Sequence, residues 1–150
     1  MEEIKIPMAK PVLEDEEING IINVVKSGWL GQGEVTANFE NSLSEYLKSK
    51  VIAVNSGSSA IMCALLAHGI KPGDKVVVPD FTFIATTSVP KILGASIIPI
   101  DIDPKTFNMD LNALEQIVRN NNVKMTIFVD IGGLPNDIDS LVSLSKKYNF

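Results

Sequence analysis

Three short apolar runs, Lys75-Val-Val-Val-Pro79, Ala95-Ser-Ile-Ile-Pro-Ile100 and Lys124-Met-Thr-Ile-Phe-Val129, alternate with stretches of helical character. A strand that is apolar along its whole length must be covered on both faces. That requirement selects a parallel sheet with helices on either side. The intervening helices are predicted over Thr82 to Leu93, where Pro90 should bend or interrupt the helix, and over Asp110 to Asn120, capped by Asp110. A further helix is predicted over Asp137 to Tyr148. The expected class is therefore α/β, with three layers around a mainly parallel sheet.

A fourth apolar run, Val51-Ile-Ala-Val54, leads into Asn55-Ser-Gly-Ser-Ser59 and then into an apolar helix over Ala60 to His68, with Gly69 as its stop. This reads as strand, turn and helix N-terminus. The first N–H groups of a helix lack intrahelical partners, and the dipole is positive there, so the turn suits an anion. Gly57 permits close backbone approach, and Ser58 and Ser59 offer hydroxyl donors. A plain cap by Ser56 or Ser58 explains the same residues equally well.

Before this stretch, Met1 to Val12 reads as an extended lead-in with Pro7 and Pro11. Glu14 to Lys26 is an acidic-headed helix with an apolar stripe of Ile18, Ile21, Ile22 and Val25. A glycine-rich loop holding Trp29 follows. A second helix spans Thr36 to Lys48, with Phe39, Leu43, Tyr46 and Leu47 on one face.

The net charge of −5 over 150 residues argues against nucleic acid or an anionic membrane surface as the main partner. With one cysteine no internal disulfide can form, and Cys63, inside an apolar helix, is expected to be a packed thiol. With one histidine, neither a histidine-based metal cluster nor a Ser-His-Asp triad can be assembled, and no metal site is expected. The N-terminus lacks the features of a signal peptide and no apolar run is long enough to span a membrane, so a cytoplasmic protein is expected.

In open parallel sheets ligands sit beyond the carboxyl ends of the strands. Those ends carry Asn55 to Ser59, Pro79 to Phe83, Asp101 to Asp103 and Asp130 to Gly133. Asp80 and Asp130 could meet a cationic group or a hydrogen-bond donor, or could simply cap helices. Asp101 and Asp103, beside Pro104, read as turn-formers. Phe81 and Phe83 could be ligand-facing or core rings. The residues alone support a phosphate-containing ligand in an α/β domain.

Six segments in order resemble the DegT/StrS family of pyridoxal-phosphate-dependent sugar aminotransferases. They are Ser27-Gly-Trp-Leu-Gly-Gln-Gly33, Asn55-Ser-Gly-Ser-Ser-Ala60, the run from Gly69 to Thr86, Gly94-Ala95, Asp101-Ile-Asp-Pro104, and Gly133-Leu-Pro-Asn-Asp-Ile-Asp139. The resemblance implies the N-terminal portion of a large domain of the aspartate-aminotransferase-like fold type I. The rest of that domain and a smaller C-terminal domain would be absent. It places Gly57, Ser58 and Ser59 at the cofactor phosphate, with serine at position 58 where the family usually has threonine. It places Phe83 against the pyridine ring. The Trp29 loop falls at the substrate pocket or dimer interface, and Asp130, at a position where histidine is common and aspartate also occurs, is expected to contact the substrate. Gly132 is smaller than many members carry.

The family's Schiff-base lysine and its pyridinium-partnering aspartate would lie beyond Phe150, so no catalytic residue is assigned here and the chain alone is expected to be inactive. In the family fold, later strands separate the Val51 strand from the others, so its neighbours would be missing and strand edges left open. The implied reaction is transfer of an amino group, typically from glutamate, to a keto sugar on a nucleotide, for polysaccharide or lipopolysaccharide synthesis, in a homodimer. A dehydratase of the same family, with histidine in place of the lysine, is one alternative. A non-catalytic remnant with a binding or assembly role is another. A dinucleotide-binding dehydrogenase domain fits less well, because no Gly-x-Gly-x-x-Gly follows the Val51 run.

Overall fold

The computed structural model describes residues 9–150, and three of the four apolar runs form strands in it. These are β1 (Lys75–Pro79), β2 (Ser96–Ile100) and β3 (Val123–Thr126), all parallel, in the order β2-β1-β3. Parallel neighbours need long crossovers, supplied here by two helices. The first is α4 (Ala85–Ile92), between β1 and β2, and the second is α5 (Leu111–Asn120), between β2 and β3. Helix α3 (Gly57–Ala67) precedes the sheet and α6 (Ile138–Tyr148) follows it.

The alternation of side chains along β1 divides the core. Val76 and Val78 point to one face and pack with Leu65, Ile70, Ala85, Val89 and Ala95 from the α3 and α4 side. Val77 points to the other face and joins Ile100, Met109, Leu114, Val118, Val123 and Leu141 from the α5 and α6 side. The result is the three-layer arrangement expected of continuously apolar strands.

Strand β3 stops at Thr126, three residues short of the expected Val129. Val77 pairs with Thr126 in register, and the last ladder bond runs from the Ile127 N–H to the Val77 carbonyl at 2.9 Å. The next bond would need an N–H from residue 79, which is Pro79, so the ladder cannot continue.

The Val51 run forms no strand. Its N–H groups go to side chains of the preceding helix instead: Val51 donates to Ser44 Oγ at 2.9 Å and Ala53 to Glu40 Oε1 at 2.8 Å. A strand exists only where another strand accepts its ladder bonds, and no described residue does so here. Cys63 is also not the packed thiol that its apolar helix suggests. It is exposed on α3, whose Leu66 is exposed as well. Helix α3 is apolar all round, and only the side bearing Leu65 meets the sheet.

Helix termini follow local chemistry closely. Asp110 caps α5 by accepting from the N–H groups of Asn112 and Ala113, and Asp137 caps α6 by accepting from Ser140. Pro90 does not interrupt α4, which runs two residues past it and starts later than expected, at Ala85.

The chain forms two compact units, divided between Ala53 and Val54. The N-terminal one contains α1 (Asp15–Ser27) and α2 (Glu34–Leu47), two residues away from the expected bounds at most. Neither helix buries a residue, and Ile18, Ile21, Ile22 and Val25 of the predicted stripe are exposed or nearly so. The lead-in up to residue 8 lies outside the described residues, and residues 9–12 have no regular structure. No helix among the described residues is long and apolar enough to cross a membrane.

Glu115 ties α5 to α6. Its Oε1 accepts from Lys147 Nζ at 2.8 Å and from the Tyr148 hydroxyl at 2.8 Å, with Arg119 Nη2 at 3.5 Å. These donors, Lys147 first and Tyr148 second, lower its pKa from the ordinary 4.5 to about 2. A carboxylate depressed on folding stabilises fully above its unfolded pKa, and the gain is lost as pH falls through the folded one. The stability difference between the parent and Glu115→Gln should therefore be full above pH 4.5 and shrink toward pH 2. Urea unfolding of both proteins at a series of pH values checks it. A constant difference across that range would refute the assignment.

Candidate functional site

The turn from Asn55 to Ser59 is where the sequence leaves capping and anion binding open, and the structure accommodates both. Ser56 is the N-cap of α3, with extended backbone, and its Oγ accepts from the Ser59 N–H at 3.2 Å. Ser59 Oγ donates to Asn55 Oδ1 at 2.6 Å and lies 3.0 Å from Ser56 Oγ. The cap thus uses the third residue of the helix. The N–H groups of Gly57 and Ser58 and the Ser58 hydroxyl have no partner among the described residues. A β-carbon placed on Gly57 would meet no heavy atom within 4 Å, so the approach to these donors is open. The first turn of α3 carries no acidic residue, unlike that of α1, which carries Asp15, Glu16 and Glu17. Unpaired N–H groups, the dipole and the missing carboxylate all favour an anion at this point. Ser59 differs from Ser58 here, because its hydroxyl proton is already spent on Asn55.

Phe81 and Phe83 follow the carboxyl end of β1. Phe81 packs against Phe107, with ring centroids 5.4 Å apart and planes tilted by 39°. Phe83 is 75% exposed and has no aromatic partner among the described residues. Of the two rings, Phe83 is the one left free to meet a flat ligand. Neither is a core residue.

Asp103 is a turn-former, as expected, whereas Asp101 precedes the turn, next to the Ile102–Met109 bridge. Asp101 Oδ1 accepts from the Ile102 N–H, and Asp103 Oδ1 from those of Lys105 and Thr106. Asp130 opens the loop after β3. Its Oδ1 accepts from the Asn136 backbone N–H at 2.9 Å and from Asn136 Nδ2 at 2.8 Å. These two donors, side chain first, hold the Asp130 pKa below the ordinary carboxylate range, while burial opposes them. Its Oδ2 has no partner among the described residues. Between the two residues the chain makes a tight turn at Ile131–Gly133, with φ of +61° at Gly132 and +83° at Gly133. Two successive left-handed residues are cheap only for glycine, which accounts for the small residue at position 132.

Sequence reading missed the two asparagines that hold this loop. Asn136 is buried, and its Nδ2 also donates to the Val129 carbonyl at 2.9 Å. Asn108, also buried, reaches from the β2–α5 connection, and its Nδ2 donates to the carbonyls of Leu134 and Pro135. The pair of glycines between Asp130 and Asn136 is a local signal for a closed loop. The contact from Asn108 is non-local and leaves no such mark.

Trp29 belongs to the N-terminal unit. Its indole is exposed, and Nε1 donates to the Gln32 carbonyl at 2.9 Å, across the same loop. A β-carbon on Gly33 would lie 2.4 Å from that nitrogen, so glycine there lets the indole fold over its own loop.

The profile of the DegT/DnrJ/EryC1/StrS aminotransferase family matches residues 11–150. A UDP-4-amino-4-deoxy-L-arabinose–oxoglutarate aminotransferase of Shewanella sediminis (strain HAW-EB3) is 26% identical over 144 residues. That match covers 95% of this chain and 37% of the relative. Among solved structures, Spr1654 of Streptococcus pneumoniae, assigned as a sugar aminotransferase, superposes in its PLP form with a TM-score of 0.86 at 34% identity. The superposition covers 95% of this chain and 36% of that one. The E. coli GDP-4-keto-6-deoxy-D-mannose-3-dehydratase with bound hydrated PLP gives a TM-score of 0.88 at 27% identity, over 95% of this chain and 38% of that one. The chain therefore spans little more than a third of the length of these relatives. Its parallel three-stranded sheet matches fold type I of the PLP-dependent aminotransferases. The chain belongs to the DegT/DnrJ/EryC1/StrS aminotransferase family.

Proposed function

We propose that this chain supplies the N-terminal, phosphate-holding portion of the large domain of a pyridoxal-phosphate-dependent sugar aminotransferase. The complete enzyme transfers an amino group, with glutamate as donor, to a keto sugar carried on a nucleotide. It works in the cytoplasm as a homodimer and serves amino-sugar and polysaccharide synthesis. One observation carries the reading. The helix that follows Ser56 leaves two N–H groups and the Ser58 hydroxyl without a partner among the described residues and carries no acidic residue in its first turn.

Gly57 and Ser58 bind the phosphate through N–H groups, and Ser58 adds a third donor. Ser59 serves mainly by holding Asn55 and Ser56 in the shape that leaves those donors free. Phe83 stacks on the ring and keeps it from turning. Asp130 accepts a hydrogen bond from cofactor or substrate, and Trp29 contributes to the substrate pocket. Pyridoxal phosphate, when bound, supplies the electron sink that amino-group transfer needs, and the lysine that works with it comes from outside these 150 residues. Dehydration on the same scaffold is the second reading, supported by the similarity to the dehydratase, on which the chain superposes as well as on the aminotransferase. The residue at the lysine position of the complete protein, lysine or histidine, separates the two.

Titrating the isotope-labelled chain with pyridoxal phosphate should shift the amide resonances of Gly57 and Ser58 first. Ser58→Ala should weaken binding about tenfold, the effect of losing one hydrogen bond to a charged group. Unchanged Gly57 and Ser58 resonances would refute the reading.

A further inference from the structure

The Asp130 carboxylate is not a simple loop charge. One of its oxygens is saturated by two donors of the same residue, Asn136, at 2.9 and 2.8 Å. The same Asn136 side chain is anchored to the Val129 carbonyl, so the carboxylate is clamped to the backbone of the segment that follows β3. Asn136 is only 6% exposed, which removes water as a competitor for these bonds. Asp130 itself is exposed, and its second oxygen has no partner among the described residues. The loop is braced from its other side by Asn108, which touches the carbonyls of Leu134 and Pro135 but not Asp130.

We propose that Asn136 is a positioning residue that occupies one oxygen of Asp130 and so dedicates the other to a hydroxyl or ammonium donor of the bound ligand. This rests on the cofactor reading above, in which the carboxyl ends of the strands hold the ligand. A carboxylate held by one oxygen is fixed in orientation, so the lone pairs of the other oxygen face a set direction. It also stays ionised, because both clamping donors favour the charged form. Such a group selects for a donor on the ligand and repels an anionic one. The phosphate is thus directed to the far simpler cradle at Gly57 and Ser58, and the donor-bearing part to Asp130.

The first test reads the free chain. In carboxyl-carbon NMR, Asp130 should titrate below the ordinary 3.8, and the Asn136 backbone and Nδ2 protons should shift with the same midpoint. Asn136→Ala removes the side-chain donor and keeps the backbone one, so the Asp130 midpoint should move up part of the way. Asn108→Ala loosens the same loop and should leave that midpoint where it is. Asn136 protons that ignore pH in this range, or equal midpoints in all three proteins, would overturn the clamp. So would equal movement in both variants, because a merely structural role predicts it. The wild-type measurement stands even if a variant fails to fold.

The second test adds a ligand. Pyridoxal phosphate should shift the Asp130 carboxyl resonance as well as the amides of Gly57 and Ser58, whereas inorganic phosphate should shift those amides alone. Pyridoxal phosphate shifting only the amides would overturn the role of Asp130 and leave the cofactor reading intact. A ligand that shifts neither overturns both, while the clamp itself is still judged by the titration.

Discussion

Leu114→Ala should lower the unfolding free energy by about 2–5 kcal/mol, the range for truncating a fully buried leucine. Leu114 is 0% exposed and sits among Val77, Ile100, Met109, Val118, Val123 and Leu141. The cost has two parts. Three carbons lose their burial, and a cavity opens where the neighbours cannot follow. Val77 and Val123 lie on paired strands of the sheet, which restrains the sheet side of the cavity from collapsing inward. The matching control is Leu66→Ala on α3, where the side chain is exposed and the change should be within about 0.5 kcal/mol. Urea unfolding of the three proteins decides it. Equal midpoints for Leu114→Ala and Leu66→Ala would show that the sheet and α5 do not pack as described.

Gly94→Ala should cost about 2–3 kcal/mol, from backbone strain and a clash together. Gly94 has a φ of +84°, a region in which an L side chain is strained by about 1–2 kcal/mol. A β-carbon there would also lie 2.9 Å from Pro72 Cβ and 3.1 Å from Pro72 Cα. Pro72 cannot swing away. Its turn is closed by Lys71 N–H to Asp74 Oδ2 at 2.8 Å, by Asp74 N–H to the Lys71 carbonyl, and by Gly73 N–H to the Gly94 carbonyl. The stiffer unfolded chain returns about 0.4–1 kcal/mol, which does not offset the rest. Gly73→Ala separates the two causes. Its φ is +89°, yet a β-carbon there meets nothing within 4 Å, so only the strain should appear. If both variants lose the same stability in urea unfolding, the contact with Pro72 contributes nothing.

Much of the C-terminal unit was legible because its signals are local. Asp110 and Asp137 announce their helices by capping chemistry that reaches three residues at most. The runs at Val76 to Val78 and Ile97 to Ile100 announce strands by composition, although only β1 is buried along most of its length. The candidate site was legible at Gly57 and Ser58 for the same reason, since a helix N-terminus is a local feature. Asp130 is legible from its place beyond a strand end and Trp29 only by resemblance, and the hydrogen-bond partners of both come from the structure. The stripe of Ile18, Ile21, Ile22 and Val25 misled, because periodicity reports an apolar face and not what covers it.

By itself the sequence determined the alternation of apolar runs and helices, and with it the layered α/β class, the caps and the anion-ready turn. Those follow from side-chain size, branching and hydrogen-bonding capacity within a few residues. Only the tertiary structure decided that Val51 and Ala53 give their N–H groups to Ser44 and Glu40 and that the run forms no strand. It also decided that β3 ends at Thr126 because Pro79 stands opposite, that Cys63 faces outward, and that Asn136 clamps Asp130. Each of these depends on a partner remote in sequence or on what covers a surface. Neither ladder bonds nor burial can be assigned to one segment without the segment it meets.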